Sequence, residues 1–86
     1  MSLLFAPLSL RDVTFPNRAW VSPMCQYSAV DGVIGDWHLV HLGGLSAGRP
    51  GLLMAEATGV TAEGRISVAC PGIWDDAQAD AWQHVV

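Results

Sequence analysis

The 86-residue sequence contains no lysine, and its four basic residues are all arginine. Set against eight Asp plus Glu, they leave a formal charge of −4. Nucleic-acid backbones and anionic membranes are bound through basic patches, so this balance argues against both as partners. No apolar run reaches the ~20 residues that a membrane span needs. The start, Met1-Ser2-Leu3-Leu4-Phe5-Ala6-Pro7, lacks the basic residues and long apolar stretch of a secretory leader. Cysteine is scarce too: Cys25 and Cys70 stand far apart, neither in a C-x-x-C pair. Free thiols in a cytoplasmic protein are the expectation. Phosphate-binding glycine motifs and the G-x-S-x-G nucleophile turn are also missing.

What remains is strongly apolar, with 51% hydrophobic and 14% charged residues. Such a chain packs against something, and its composition argues against disorder. Leu8-Ser9-Leu10-Arg11-Asp12-Val13-Thr14-Phe15 alternates around a polar pair and predicts a hairpin turning at Arg11-Asp12. Ala19-Trp20-Val21-Ser22 is a short β-favouring run stopped by Pro23. Asp31-Gly32 reads as a turn, and Asp36 as the N-cap of a helix from 37 to about 47. Its apolar stripe is Trp37, Val40, Leu45 and Ala47. Gly43-Gly44 weakens this helix, which suggests close packing against a neighbour.

Leu52-Leu53-Met54-Ala55-Glu56-Ala57 predicts a strand buried on both faces, as in a parallel sheet. Asp75-Asp76-Ala77-Gln78 has the form of a capping box, followed by Ala77, Ala81, Trp82 and Val85 on one helical face. Strands alternating with helices imply βαβ units. Two parallel strands leave edges and faces uncovered, so the order suggests the opening of a larger α/β protein. A (β/α)₈ barrel takes about 250 residues, of which this chain would supply the first third.

In such folds ligands sit beyond the carboxyl ends of the strands. Ser22-Pro23-Met24-Cys25-Gln26-Tyr27 follows the first strand. Past Pro23, the N–H groups of Met24 and Cys25 leave the ladder and are free for an acceptor on a planar ligand. Cys25 adds a polarisable sulfur, and Tyr27 a phenol within reach of a substrate. An ordinary turn with a buried cysteine is the alternative, and the residues alone favour it. Ala57, after the second strand, lets a flat ligand approach the backbone; simple packing is again the blander account. Glu56, at the end of an apolar run, reads as a catalytic carboxylate or as a buried ion-pair partner of one of the four arginines, and the residues favour the ion pair. His38 and His41 share a helix face at ligand spacing, but without a third ligand nearby they read as surface and interface histidines. The four tryptophans read as packing residues.

Asn17-Arg18, the string from Ser22 to Ala29, Asp31-Gly32, and Asp36-Trp37-His38-Leu39-Val40-His41-Leu42 together resemble the N-terminus of the old yellow enzyme family. The resemblance is narrowest to its thermophilic-like class of ene-reductases. It continues through Glu56-Ala57-Thr58, Gly64-Arg65-Ile66-Ser67 and Gly72-Ile73-Trp74-Asp75-Asp76, with Ser-Pro-Met-Cys-x-Tyr its specific part.

The resemblance implies an α/β fold, the N-terminal part of a (β/α)₈ TIM barrel with a preceding β-hairpin. Residues 1–86 would belong to one FMN-binding domain, with the hairpin at about 8–15 and βα units at about 19–48 and 52–86. It implies an FMN flavoprotein that uses NADPH or NADH to reduce activated C=C bonds in enones, enals and maleimides. Ser22, Pro23, Met24, Cys25 and Ala57 would bind the cofactor, Cys25 tuning its potential, and Tyr27 would bind substrate. The catalytic proton donor would lie downstream, so no catalytic residue is expected in this chain and the 86 residues alone would be inactive. The implied partners are a small electron-poor alkene and the rest of the barrel, in a homo-oligomer when complete. Trp20, and Arg49-Pro50-Gly51, depart from the family pattern. A second expectation, of another class, is a non-catalytic fragment that docks onto a complementary barrel piece or onto itself.

Overall fold

A computed structural model describes residues 2–86. Met1, where the expected segment begins, lies outside them. Ser2 Oγ accepts the Leu4 N–H at 3.1 Å and caps a single 3₁₀ turn, Leu3–Phe5. Strands β1 (Leu8–Leu10) and β2 (Val13–Phe15) then form an antiparallel hairpin in the register Leu8↔Phe15, Ser9↔Thr14, Leu10↔Val13. The two hydroxyls of the central pair lie 2.8 Å apart. Arg11 makes the turn at φ +53°, a left-handed conformation that costs a non-glycine residue about 1 kcal/mol.

Phe15 carries the hairpin onto the next strand, its ring 4.8 Å from that of Trp20 and tilted by 53°. That strand, β3 (Trp20–Val21), pairs in parallel with β4 (Leu52–Leu53), Trp20 opposite Leu52 and Val21 opposite Leu53. Backbone bonds Gly51 N to Ala19 O (3.0 Å) and Met54 N to Val21 O (3.2 Å) continue the pairing at either end. The ladder is shorter than the apolar run from Leu52 to Ala57 suggests, and both of its Leu residues are only half-buried. Apolar sequence is what a strand buried on both faces needs, and here α1 packs against β4 without burying it fully.

Helix α1 (Asp36–Ala47) crosses between the two parallel strands. Its N-cap is Gly35, not Asp36, which occupies the first turn where a carboxylate suits the helix dipole. His38 Nδ1 accepts the Gly35 N–H at 3.1 Å and so does the capping work. Trp37 and Val40 of the expected stripe are exposed, and the side chain that points inward is His38. The helix is apolar on nearly every face, so spacing alone does not select the inner one. A Cβ on Gly43 or Gly44 would meet nothing within 4 Å among the described residues, so the expected close neighbour is not among them.

Helix α2 (Asp76–Val85) begins at Asp75, whose Oδ1 accepts the Gln78 N–H at 2.9 Å. Gln78 does not complete the reciprocal box. Its Oε1 accepts from Trp74 N at 2.8 Å, and its Nε2 donates to Asp31 O at 3.3 Å. Gln78 and Trp82 are the buried positions of α2, whereas Ala77 is exposed. Trp82 of the expected face is buried and Ala81 and Val85 are half-buried, so only Ala77 departs from it, and Gln78 joins the inner side because it finds two backbone partners there.

Apart from His38 on α1 and Gln78 on α2, the best-buried residues lie in the connecting loops, not in the strands. Val30 and Val33 bridge across Asp31-Gly32, both turn residues having positive φ (51° and 75°) as a tight two-residue hairpin requires. This turn meets the second loop through Ala29 N to Ala69 O (2.9 Å) and Gly72 N to Gly32 O (2.8 Å). Cys70, Pro71, Gly72 and Gly59 are buried there. The Arg65 guanidinium lies 5.2 Å from the Trp74 ring centre and closes the loop from outside.

Candidate functional site

Pairing β3 with β4 in parallel brings the segments after both strands to one end of the sheet. Ser22, Pro23 and Met24 leave β3 exposed there, followed by half-buried Cys25, which is a free thiol. Ala57, beyond β4, is exposed at the same end. The two segments are tied directly, since Glu56 Oε1 accepts the Gln26 N–H at 3.3 Å. Tyr27 projects at the rim, 60% exposed, with φ +53°. A left-handed tyrosine costs about 1 kcal/mol or more, which its surroundings must offset.

Gln26 organises this strip. Its Nε2 donates to Met24 O at 2.8 Å, and its Oε1 accepts from Trp37 Nε1 at 2.8 Å. Ser28 Oγ donates to Gln26 O at 2.9 Å. The strip is thus fixed from β4 and from α1. The N–H groups of Met24 and Cys25 make no hydrogen bond among the described residues. Free backbone donors, a thiol and a small exposed Ala57 at one strand end fit a flat heteroaromatic ligand with acceptor atoms on its edge.

Beneath the strip, Glu56 is buried and pairs with no arginine. Its Oε2 lies 3.4 Å from His38 Nε2, with side chains 4% and 1% exposed. That contact falls outside hydrogen-bond geometry. His38 is accordingly a core residue and not a surface one, while His41 is half-buried and stacked on Trp37 at 5.9 Å. Among the described residues no group of His, Cys, Asp and Glu is arranged to hold a metal ion. Reasoning from the sequence left Gln26 without a role. Its signal there is only its place in the string after Pro23, and nothing local indicates its tie to Trp37.

Parallel strands joined by a helix, with an exposed strip past their carboxyl ends, form the unit from which a β/α barrel is built. The chain belongs to the NADH:flavin oxidoreductase / NADH oxidase family, whose pattern it matches over residues 3–86. An NADH:flavin oxidoreductase of Gibberella zeae is 49% identical over 82 residues, covering 95% of this chain and 20% of the relative. Morphinone reductase in complex with tetrahydroNAD superposes with a TM-score of 0.88 at 35% identity, over 100% of this chain and 23% of that one. The old yellow enzyme from Trypanosoma cruzi gives 0.84 at 30% identity, over 98% and 22%. The fold is therefore the N-terminal part of a (β/α)₈ barrel with a preceding hairpin. The chain spans about a fifth of the length of the relatives it matches.

No helix among the described residues is long and apolar enough to cross a membrane.

Proposed function

We propose that this chain forms one side of the FMN site of an old-yellow-enzyme-type oxidoreductase acting on activated C=C bonds. The chemistry that FMN supplies when bound is hydride transfer from NADPH or NADH to the β-carbon of an enone, enal or maleimide. The observation that carries this reading is the strip itself: exposed Ser22, Pro23, Met24 and Ala57 beside the free Cys25, at the carboxyl ends of two parallel strands.

In this reading Ser22, Pro23, Met24 and Ala57 line the cofactor, and the unpaired N–H groups of Met24 and Cys25 supply donors to its acceptor edge. The Cys25 S–H is a weak donor whose placement favours negative charge on the reduced ring. Tyr27 carries an exposed phenol at the rim and orients the substrate carbonyl. None of these groups transfers a proton to carbon, so residues 1–86 by themselves do not turn over. Exposed Val40, Val60, Ile66 and Val68 are the surface on which the rest of the barrel packs. The complete protein is cytoplasmic and homo-oligomeric in this reading.

The test is to purify the complete protein and record its visible spectrum. Flavin bands that bleach with NADPH or NADH and return on adding an enone are expected. A colourless protein, or flavin bands unmoved by either nucleotide, overturns the reading. Equal flavin retention by wild type and Cys25→Ala, with identical reduction potentials, removes the tuning role of Cys25 alone.

A further inference from the structure

Glu56 is deeply buried, directly beneath the strip, and has no part in the chemistry proposed above. Its Oε1 accepts the Gln26 N–H, and its Oε2 faces His38 Nε2. The other ring nitrogen of His38 accepts the Gly35 N–H at 3.1 Å and therefore carries no proton. The ring proton then sits on Nε2, on the side of the carboxylate. A carboxylate buried this far needs polar partners: the Gln26 N–H donates to it, and the His38 ring faces it from α1 at 3.4 Å, a contact outside hydrogen-bond geometry. The peptide that Glu56 holds is the one linking Cys25 to Gln26. Gln26 is clamped further by Met24 O and Trp37 Nε1.

We propose that Glu56 is a positioning residue for the cofactor. It fixes the Cys25–Gln26 peptide, and through it sets where the Cys25 thiol and the Met24 and Cys25 N–H groups point, while His38 packs against the other carboxylate oxygen. This rests on reading the strip as a flavin contact.

The test uses the complete FMN-bearing protein with Glu56→Gln, which keeps an acceptor toward Gln26, and Glu56→Leu, which removes it. Glu56→Leu is expected to weaken FMN binding about tenfold and to shift the visible flavin band, with Glu56→Gln within about twofold of wild type. Adding Cys25→Ala to Glu56→Leu is expected to shift the reduction potential less than the same change in wild type, because the thiol is already misplaced. Wild-type affinity and band in both variants, with only a lowered Tm, overturn the proposal. If Glu56→Leu does not fold, hydrogen exchange of the Gln26 amide in wild type and Glu56→Gln decides. Slow exchange in both supports the proposal, and exchange as fast as in an open loop overturns it. A wild-type protein that retains no flavin overturns the site reading as well. A flavin-binding wild type with an unaffected leucine variant overturns only the role of Glu56.

Discussion

Asn17 Oδ1 accepts the Gly51 N–H at 2.8 Å, joining the residues that lead into β3 to those that lead into β4. The same oxygen accepts from Ala19 N at 3.0 Å, and Asn17 Nδ2 donates to Arg49 O at 3.1 Å. One side chain thus sets the register of the parallel pair, and with it the level at which both strand ends meet the ligand strip. The approach is close enough that a Cβ on Gly51 would collide with the Asn17 carbonyl oxygen.

Gly51→Ala is therefore expected to destabilise the protein by about 2 kcal/mol, since the obstacle is backbone and cannot swing aside. Asn17→Ala is expected to cost a similar amount through three lost bonds of about 1 kcal/mol or less each. Thermal melting of the two variants checks both. An unchanged Tm for Gly51→Ala contradicts the close approach.

Arg49 follows the last turn of α1 at φ +59°, its N–H bonded to Ser46 O at 2.9 Å. Left-handed residues after a helix end are ordinarily glycine; here Gly48 keeps a right-handed φ of −76°, and the arginine takes the strained place. Arg49→Gly is expected to be more stable than Arg49→Ala by about 1 kcal/mol, because only glycine escapes the Cβ penalty. Denaturant melts of the pair compare them directly, and equal midpoints would argue against the strain.

Gln78 is 1% exposed and bonds to Trp74 N and Asp31 O. Gln78→Leu leaves both backbone groups unpaired and is expected to cost about 2 to 3 kcal/mol. Gln78→Glu keeps the acceptor for Trp74 but sets a carboxylate oxygen against the Asp31 carbonyl. Burial and this repulsion raise the folded-state pKa of the introduced carboxyl above its unfolded value. Protonation lets it donate to Asp31 O, so its favourable contribution is full below the unfolded pKa and is lost as pH rises through the folded one. The variant is expected to lie closer to wild type near pH 4 than at pH 7, by about 1 kcal/mol or more. A difference from wild type that does not change with pH would contradict this.

The features legible in the sequence are those settled between near neighbours. The turn at Asp31-Gly32 follows from residue types that accept positive φ. The start of α2 follows from Asp75 and the N–H three residues on. The string from Ser22 to Tyr27 stood out because Pro23 interrupts a strand, and a resemblance gave it a role that residue physics alone did not.

The tertiary structure decided whatever depends on distant partners. Gln26 reaches Glu56 across 30 positions, Gly51 reaches Asn17 across 34, and Gln78 reaches Asp31 across 47. A buried carboxylate calls for a cation and so points Glu56 toward an arginine; the fold gives it a backbone N–H and sets an imidazole beside it at 3.4 Å, outside hydrogen-bond geometry. The inner side of α1, and the place of Gln78 on α2, depart from the apolar periodicity for a related reason. Periodicity registers apolar area, but His38 and Gln78 went inside because folding supplied hydrogen-bond partners there. Local chemistry wrote the turns and caps, and only assembly determined which polar groups could afford to leave water.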